Sequence, residues 1–335
     1  MGDIPLHFEI LKSVVYIKNS FNQVGTGFLI SKKMSNDKST VFLITNKHVL
    51  QNKETGEFSQ SIAVRFYLKQ SGTSDGRIKW VSFPIFNNDK KIRDRIFLHP
   101  EESVDIAGLI VTDILVSHPE LEPMSIPESA ILTRERMEQE VINAGENVFI
   151  LGYPAGIFSS ANFLPLVKSG IISSATNEDL LLTLEKTTIK GKIFLVEAAL
   201  FGGNSGGPVL IKPRWKVTKD KETLRQSVSL GEGLPLSLLG VNSGSIHLTD
   251  KIYTRVISEL MISSDVVSSV IQNSEIKKDE KGEYIELKQD VMLNIVFSAE
   301  YLSDIFEECA KRFEIKKVQV PNEVIKTIPS TTEIN

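Results

Sequence analysis

Between two apolar runs, Ile193 to Glu197 and Pro208 to Ile211, lies the stretch Phe201-Gly202-Gly203-Asn204-Ser205-Gly206-Gly207-Pro208. The glycines around Ser205 leave the backbone free to take positive φ and to approach another chain closely, so the serine hydroxyl can be presented on a tight turn. The amides of Gly203 and Ser205 would then face one spot and stabilise a developing oxyanion, an effect worth about 3 to 4 kcal/mol per donor. The chemistry of such a loop is nucleophilic attack on a carbonyl. The same octapeptide also fits a glycine-rich β-turn that carries an incidental serine.

A nucleophilic serine needs a base, and the chain has 5 histidines, at positions 7, 48, 99, 118 and 247. His48 follows the strand-like VFLIT and Asn46-Lys47, which places it at a strand end, rigidly held yet able to reach a cleft. Taken in isolation it also reads as the polar cap of a turn. Asp105 opens the apolar run IAGLIV, so its carboxylate sits at the mouth of a strand, where it can fix a histidine tautomer and stabilise the imidazolium. Alone, it equally fits a turn residue. His99, followed by Pro100, is a rival base on a loop six residues before Asp105. His7 and His118 have no supporting context, and His247 is open to a structural or substrate-contact role. No residue cluster has structural-zinc spacing and no phosphate-binding glycine loop occurs. No cofactor is implied.

The elements that must position these residues are short β-branched and aromatic runs punctuated by Gly, Pro, Asn and Asp, over about residues 10 to 260. They include Ser13 to Ile17, Gly27 to Ile30, Val41 to Thr45, Ile62 to Tyr67, Asp105 to Val111 and Asn147 to Leu151. That spacing predicts an all-β sandwich or barrel rather than βαβ units. Two sets appear, separated by a polar, helix-favouring connector. The expected organisation is a domain over 1–273, with a first barrel at about 8–118, a connector at 119–144, a second barrel at about 145–262 and a closing helix at 255–272. Beyond it, 274–335 reads as an extension of two strands and a helix capped by Ser298, with a fraying end. In that helix Tyr301, Leu302, Ile305, Phe306, Cys309, Ala310 and Phe313 share one face.

The order and spacing of His48, Asp105 and Ser205 resemble the trypsin-like serine peptidases, and the HtrA group most of all. Gly25-Thr26-Gly27-Phe28-Leu29-Ile30 resembles the family's opening strand, Leu43 to Val49 its histidine box, and Asp105-Ile106-Ala107 its aspartate box. Gly145 to Pro154 and Ser169 to Ser173 resemble two landmarks of its second barrel. The resemblance covers about residues 10 to 260. It implies an all-β fold of two six-stranded antiparallel barrels with the active site between them. It further implies a serine endopeptidase with His48, Asp105 and Ser205 as its triad and the amides of Gly203 and Ser205 as its oxyanion hole. Ala199 matches the base of the first specificity pocket and Val241-Asn242-Ser243 the substrate-aligning edge, which implies cleavage after small or medium apolar residues. Asn204 stands where secreted zymogens of the family have aspartate, so activation by N-terminal cleavage is not expected. Gly202 replaces the usual proline of the HtrA group, which leaves the Gly202-Gly203 peptide less restrained and able to flip. The tail is too short and too helical for the PDZ domain of that group.

Bulk properties narrow the partners. The chain has 335 residues, 41% apolar and 24% charged, with a net charge of -4. That balance is ordinary for a folded globular protein and gives no basic footprint for nucleic acid. The single cysteine, Cys309, excludes an intrachain disulfide and favours a reducing compartment. No stretch approaches the roughly 20 apolar residues that span a bilayer, and the first residues lack the pattern of a signal peptide. The expectation is a cytoplasmic protein acting on proteins or peptides, with residues 276–335 available for self-association or a protein partner. The competing expectation is a protease fold retained as a catalytically silent binding or assembly module.

Overall fold

The computed structural model describes residues 8–33, 38–69, 78–122, 124–158, 163–184, 187–212, 215–219, 226–233, 236–253, 276–279, 282–312, 320–321 and 326–327. The chain divides into two compact units, one of Met1–Gly244 with Asn294–Asn335 and the other of Ser245–Leu293.

The first half of the larger unit is built from β1 (Val14–Asn19), β2 (Val24–Lys33), β3 (Lys38–Thr45), β4 (Ser61–Tyr67), β5 (Ile78–Pro84), β6 (Ile96–Leu98), β7 (Ala107–Ile110) and β8 (Met124–Pro127). Neighbours run in the order β5-β4-β1-β2-β3-β7-β6, with β8 beside β2, and the sheet curls as a half-barrel. Sequence and packing agree closely in β3. Val41 and Leu43 point into one apolar cluster with Val15, Ile17 and Leu29. Phe42 and Ile44 point into another with Phe28, Leu151 and Phe306. Alternate residues of a strand face opposite sides, so a strand buried on both faces must be apolar throughout, as VFLI is. Each such side chain contributes about 1.5 to 3 kcal/mol by leaving water.

The connector carries the short helices α1 (Thr112–Ser117) and α2 (Arg134–Gln139). The Thr133 side chain accepts the Arg136 amide at the start of α2, as the polar character of this stretch predicts. The second barrel follows with β9 (Asn147–Gly152), β10 (Leu166–Ile172), the hairpin β11 (Leu180–Leu184) and β12 (Thr187–Gly191), β13 (Ile193–Glu197) and β14 (Pro208–Ile211). A separate two-stranded sheet, β15 (Trp215–Lys219) with β16 (Gln226–Gly233), precedes β17 (Leu238–Tyr253). Strands β18 (Ile276–Asp279) and β19 (Gly282–Ser298) come next. The order β13-β10-β9-β14-β17-β19, with β19 returning to β13, closes six strands into a barrel.

The closing strand is where structure and sequence part. The segment expected in an extension after residue 274 supplies the sixth strand: Ser298 N–H donates to Lys192 O at 2.9 Å and Asn294 Nδ2 to Val196 O at 3.2 Å. The helix expected at 255–272 lies outside the described residues. Helix α3 (Leu302–Arg312) takes the place after the last strand, with the Ser298 hydroxyl accepting the Glu300 amide at 3.2 Å. Leu302, Ile305, Phe306 and Cys309 are buried as the periodicity predicts, whereas Ala310 is exposed. The helix lies on the first half: Phe306 meets Phe42 with ring centroids 4.9 Å apart. The tail expected to fray adds two short strands, β20 (Val320–Pro321) beside β3 and β21 (Lys326–Thr327) beside β8. In the smaller unit, β18 pairs antiparallel with the start of β19, Ile276 opposite Ile285.

Candidate active site

His48 stands on a single 3-10 turn, Lys47–Leu50, directly after β3, and Asp105 directly precedes β7, which pairs with β3 from Thr45↔Ala107 onward. The register of two neighbouring strands therefore sets the two side chains opposite one another. His48 Nδ1 is 2.6 Å from Asp105 Oδ2, and the His48 amide donates to Asp105 Oδ1 at 3.1 Å. With a carboxylate at Nδ1, that nitrogen carries the proton and Nε2 keeps its lone pair. Two further residues hold Asp105: Ser243 Oγ donates to Oδ2 at 2.7 Å, and Asn46 Nδ2 donates to the Asp105 carbonyl at 2.6 Å.

Ser205 is on the tight turn before β14. The turn is possible because Gly203 and Gly206 have φ of 101° and 85°, where side-chain-bearing residues are strained. Close approach also requires them. A Cβ on Gly203 would lie 2.4 Å from Tyr153 O, and one on Gly206 2.1 Å from Thr26 O.

The loop's hydrogen bonds are nearly all spoken for. Gly202 O accepts from Ala155 N–H at 2.6 Å, Asn204 O from Gly207 N–H at 3.0 Å, and Ser205 O from Thr26 N–H at 2.9 Å. Gly203 O accepts from Thr26 Oγ1 at 2.6 Å. Among the amides, Asn204 N–H donates to Phe201 O, Gly206 N–H to Asn242 O and Gly207 N–H to Asn204 O. Among the described residues, the amides of Gly202, Gly203 and Ser205 in this turn donate to nothing. A trans peptide points its N–H away from its own carbonyl, so Ala155, by holding Gly202 O, turns the Gly203 N–H to the other side. The loose Gly202-Gly203 peptide expected from the missing proline is thus pinned from outside the loop.

The remaining expected residues fare unequally. Ser205 Oγ has no hydrogen bond among the described residues, and the serine–histidine bond of free peptidases often tightens only with substrate. Ala199 is exposed, next to Ala198, whose carbonyl accepts from Asn294 Nδ2 at 2.8 Å. Val241 and Asn242 are buried. The Asn242 amide donates to Gly207 O, its carbonyl accepts from Gly206, and its side chain donates to Asn204 O at 3.3 Å. No backbone group of Asn242 is left for a substrate strand: within the edge expected at 241–243, Asn242 supports the turn and the Ser243 side chain supports Asp105. His99 is no base for Ser205, because its Nδ1 accepts from the Glu101 amide at 3.2 Å and its Nε2 meets Asp304 at 2.9 Å. His118 pairs with Glu120, and the side chain of His247 lies outside the described residues.

Sequence reasoning missed the supporting residues Thr26, Asn46, Tyr153 and Ala155. The signal for Thr26 was present, since a buried threonine between two glycines of an opening strand has no packing need for its hydroxyl.

Several solved structures are similar to this chain. Rv3671c protease from M. tuberculosis, in its active form, is 17% identical with a TM-score of 0.41, over 90% of this chain and 82% of that one. The MamO protease domain from Magnetospirillum magneticum in its apo form is 14% identical at a TM-score of 0.38, over 85% of this chain and 95% of that one. The HtrA-type protease AlgW with decapeptide is 13% identical at 0.40, over 90% and 66%. Among curated protein sequences none matches significantly. The profile of the trypsin-like peptidase domain matches residues 25–218, which is more than half of the chain and includes His48, Asp105 and Ser205. The chain therefore belongs to the trypsin-like peptidase domain family.

Proposed function

We propose that the protein is a serine endopeptidase in which His48 Nε2 takes the proton of Ser205 as its oxygen attacks the scissile carbonyl. The unpartnered amides of Gly203 and Ser205 receive the oxyanion of the tetrahedral intermediate, and Asp105 steadies the imidazolium that forms. Collapse of the intermediate expels the amine, protonated by His48, and leaves an acyl-enzyme on Ser205. Water, deprotonated by His48, then releases the acid. The observation that carries this reading is the pairing of the loop: its four carbonyls from 202 to 205 are held, and the two donors needed for an oxyanion are among the amides left free.

For specificity, the uncharged Ala199 supports cleavage after small or medium apolar residues. With Asn242 consumed internally, Gly244 is the first residue past Ser243 open to align a substrate strand; a Cβ there would meet nothing within 4 Å. The single, buried cysteine supports work in a reducing compartment, in keeping with the cytoplasmic expectation.

Cleavage-site profiling on a denatured proteome, with parent and Ser205→Ala proteins, tests the reading. The parent should cut, with a preference for Ala, Val or similar residues before the cut, and the variant should lose on the order of a million-fold in turnover. Equal cleavage by both proteins would sink the reading. A labelled fluorophosphonate separates it from a catalytically silent module, since only an activated serine reacts.

A further inference from the structure

We infer that Thr26 is a positioning residue of the oxyanion hole, a clamp by which the first half of the fold sets the nucleophile turn carried by the second. This deepens the peptidase reading and rests on it. Thr26 is completely buried in β2, and each of its polar groups is committed to the site. Its N–H donates to Ser205 O at 2.9 Å and its hydroxyl to Gly203 O at 2.6 Å. The same hydroxyl oxygen accepts from Tyr153 N–H at 3.0 Å. Its carbonyl accepts from Thr45 Oγ1 at 2.7 Å, three residues before His48.

The two carbonyls that Thr26 holds belong to the two residues whose free amides form the hole. Fixing the carbonyl of Gly203 fixes the peptide plane just after one donor and just before the other. The hydroxyl also joins that plane to Tyr153, whose carbonyl a Cβ at position 203 would touch. A methyl in place of the hydroxyl would fill the same space but supply neither the donor to Gly203 nor the acceptor for Tyr153. The turn would keep its fold through Ala155, Gly207 and Asn242, yet the Gly203–Asn204 peptide would lose its only side-chain anchor from the first half. Catalysis by preorganised donors is sensitive to such a change, because a shift near 1 Å can cost about a hundredfold.

The test uses Thr26→Val, Thr26→Ser and Thr26→Ala in the full chain, with an alanine-terminated peptide amide bearing a chromogenic leaving group. Thr26→Val and Thr26→Ala should lower kcat about 10- to 100-fold with KM within about threefold. Thr26→Ser, which restores the hydroxyl and removes only the methyl, should recover kcat to within about threefold of the parent. The acid limb of the pH–kcat/KM profile should not move in any of them. If Thr26→Val fails to fold, the Ala and Ser pair gives the same contrast. A Val or Ala variant with the parent's kcat overturns the inference, as does a Ser variant no better than Ala, which would assign the effect to packing. A parent protein that neither cleaves the peptide nor takes up a fluorophosphonate overturns the peptidase reading, and this inference with it.

Discussion

Replacing Gly203 by alanine places one methyl against backbone that leaves no room for it. The added Cβ would lie 2.4 Å from Tyr153 O and 3.0 Å from Ala155 N, both backbone atoms that cannot swing aside as a side chain would. The φ of 101° adds strain of about 1 to 3 kcal/mol for a residue with a Cβ. The turn can relieve both only by rotating the Gly202-Gly203 peptide, which breaks the 2.6 Å bond from Ala155 to Gly202 O and swings the Gly203 N–H off the proposed oxyanion site. Loss of one such donor costs about 10²- to 10³-fold in kcat. Gly203→Ala should therefore lose at least about a hundredfold in kcat, with a thermal midpoint lowered in line with about 1 to 3 kcal/mol. The neighbouring Gly202→Ala is the matched control, since a Cβ there meets nothing within 4 Å. It should retain activity within about threefold. Steady-state hydrolysis of a chromogenic peptide and differential scanning fluorimetry on the three proteins decide the matter. Similar losses in both variants, or full activity in Gly203→Ala, would refute the reasoning.

Three further outcomes follow from the site. Ser243→Ala removes a donor to the Asp105 carboxylate, an interaction worth about 1.5 kcal/mol or more, so kcat should fall roughly tenfold at unchanged KM; an unaltered kcat would exclude a role for that hydroxyl. Asn204→Asp buries a carboxylate at a side chain 1% exposed and removes the Nδ2 donation to Phe201 O, a loss of about 3 to 5 kcal/mol. A carboxylate so buried titrates above its unfolded value, so the neutral form favours the fold, and chemical denaturation should show the deficit shrinking as pH falls; a deficit that grows on acidification contradicts this account. Burial pushes the Cys309 thiol up to about 11, so it stays neutral and its contribution to stability is complete below the ordinary thiol value, then is lost as pH rises toward about 11. Iodoacetamide at pH near 8 should label the native protein far more slowly than the unfolded one, as mass spectrometry would read.

What sequence reveals here divides by range. The strands around His48, Asp105 and Ser205 were legible because burial on both faces writes a run such as VFLI directly into composition, and the turn because glycine is favoured at positive φ. The Gly203 and Ser205 amides could be nominated from spacing. That they are unpartnered while the carbonyls beside them are held depends on Ala155, Thr26 and Asn242, distant in sequence and brought near only by the fold. The same holds for Asn242, which the family resemblance placed in a substrate edge and whose backbone hydrogen bonds are spent on Gly206 and Gly207. Barrel closure was the least legible. Some 50 residues, Ser245–Leu293, form a compact unit of their own between the fifth and sixth strands of the barrel. Chain order therefore assigned the sixth strand to an extension.

That misplacement changes what a truncation means. Removal of residues 276–335 looks, from sequence, like a test of a regulatory tail on an intact enzyme. In the structure it deletes the strand that joins β17 to β13 and the helix that covers the first half. Val296, Phe297, Ala299, Leu302, Ile305 and Phe306 are all buried, and each large apolar side chain among them contributes about 1.5 to 3 kcal/mol. Their sum is comparable with the whole net stability of a domain, about 5 to 15 kcal/mol, before the cost of exposing two unpaired strand edges is counted. The 1–275 fragment should therefore show no cooperative thermal transition and should bind a hydrophobic dye. A fragment that unfolds cooperatively near the parent's midpoint would mean that the barrel closes without β19. Partner binding by this region is better sought with exposed substitutions on α3, such as Glu307→Lys, which leave the closing strand in place.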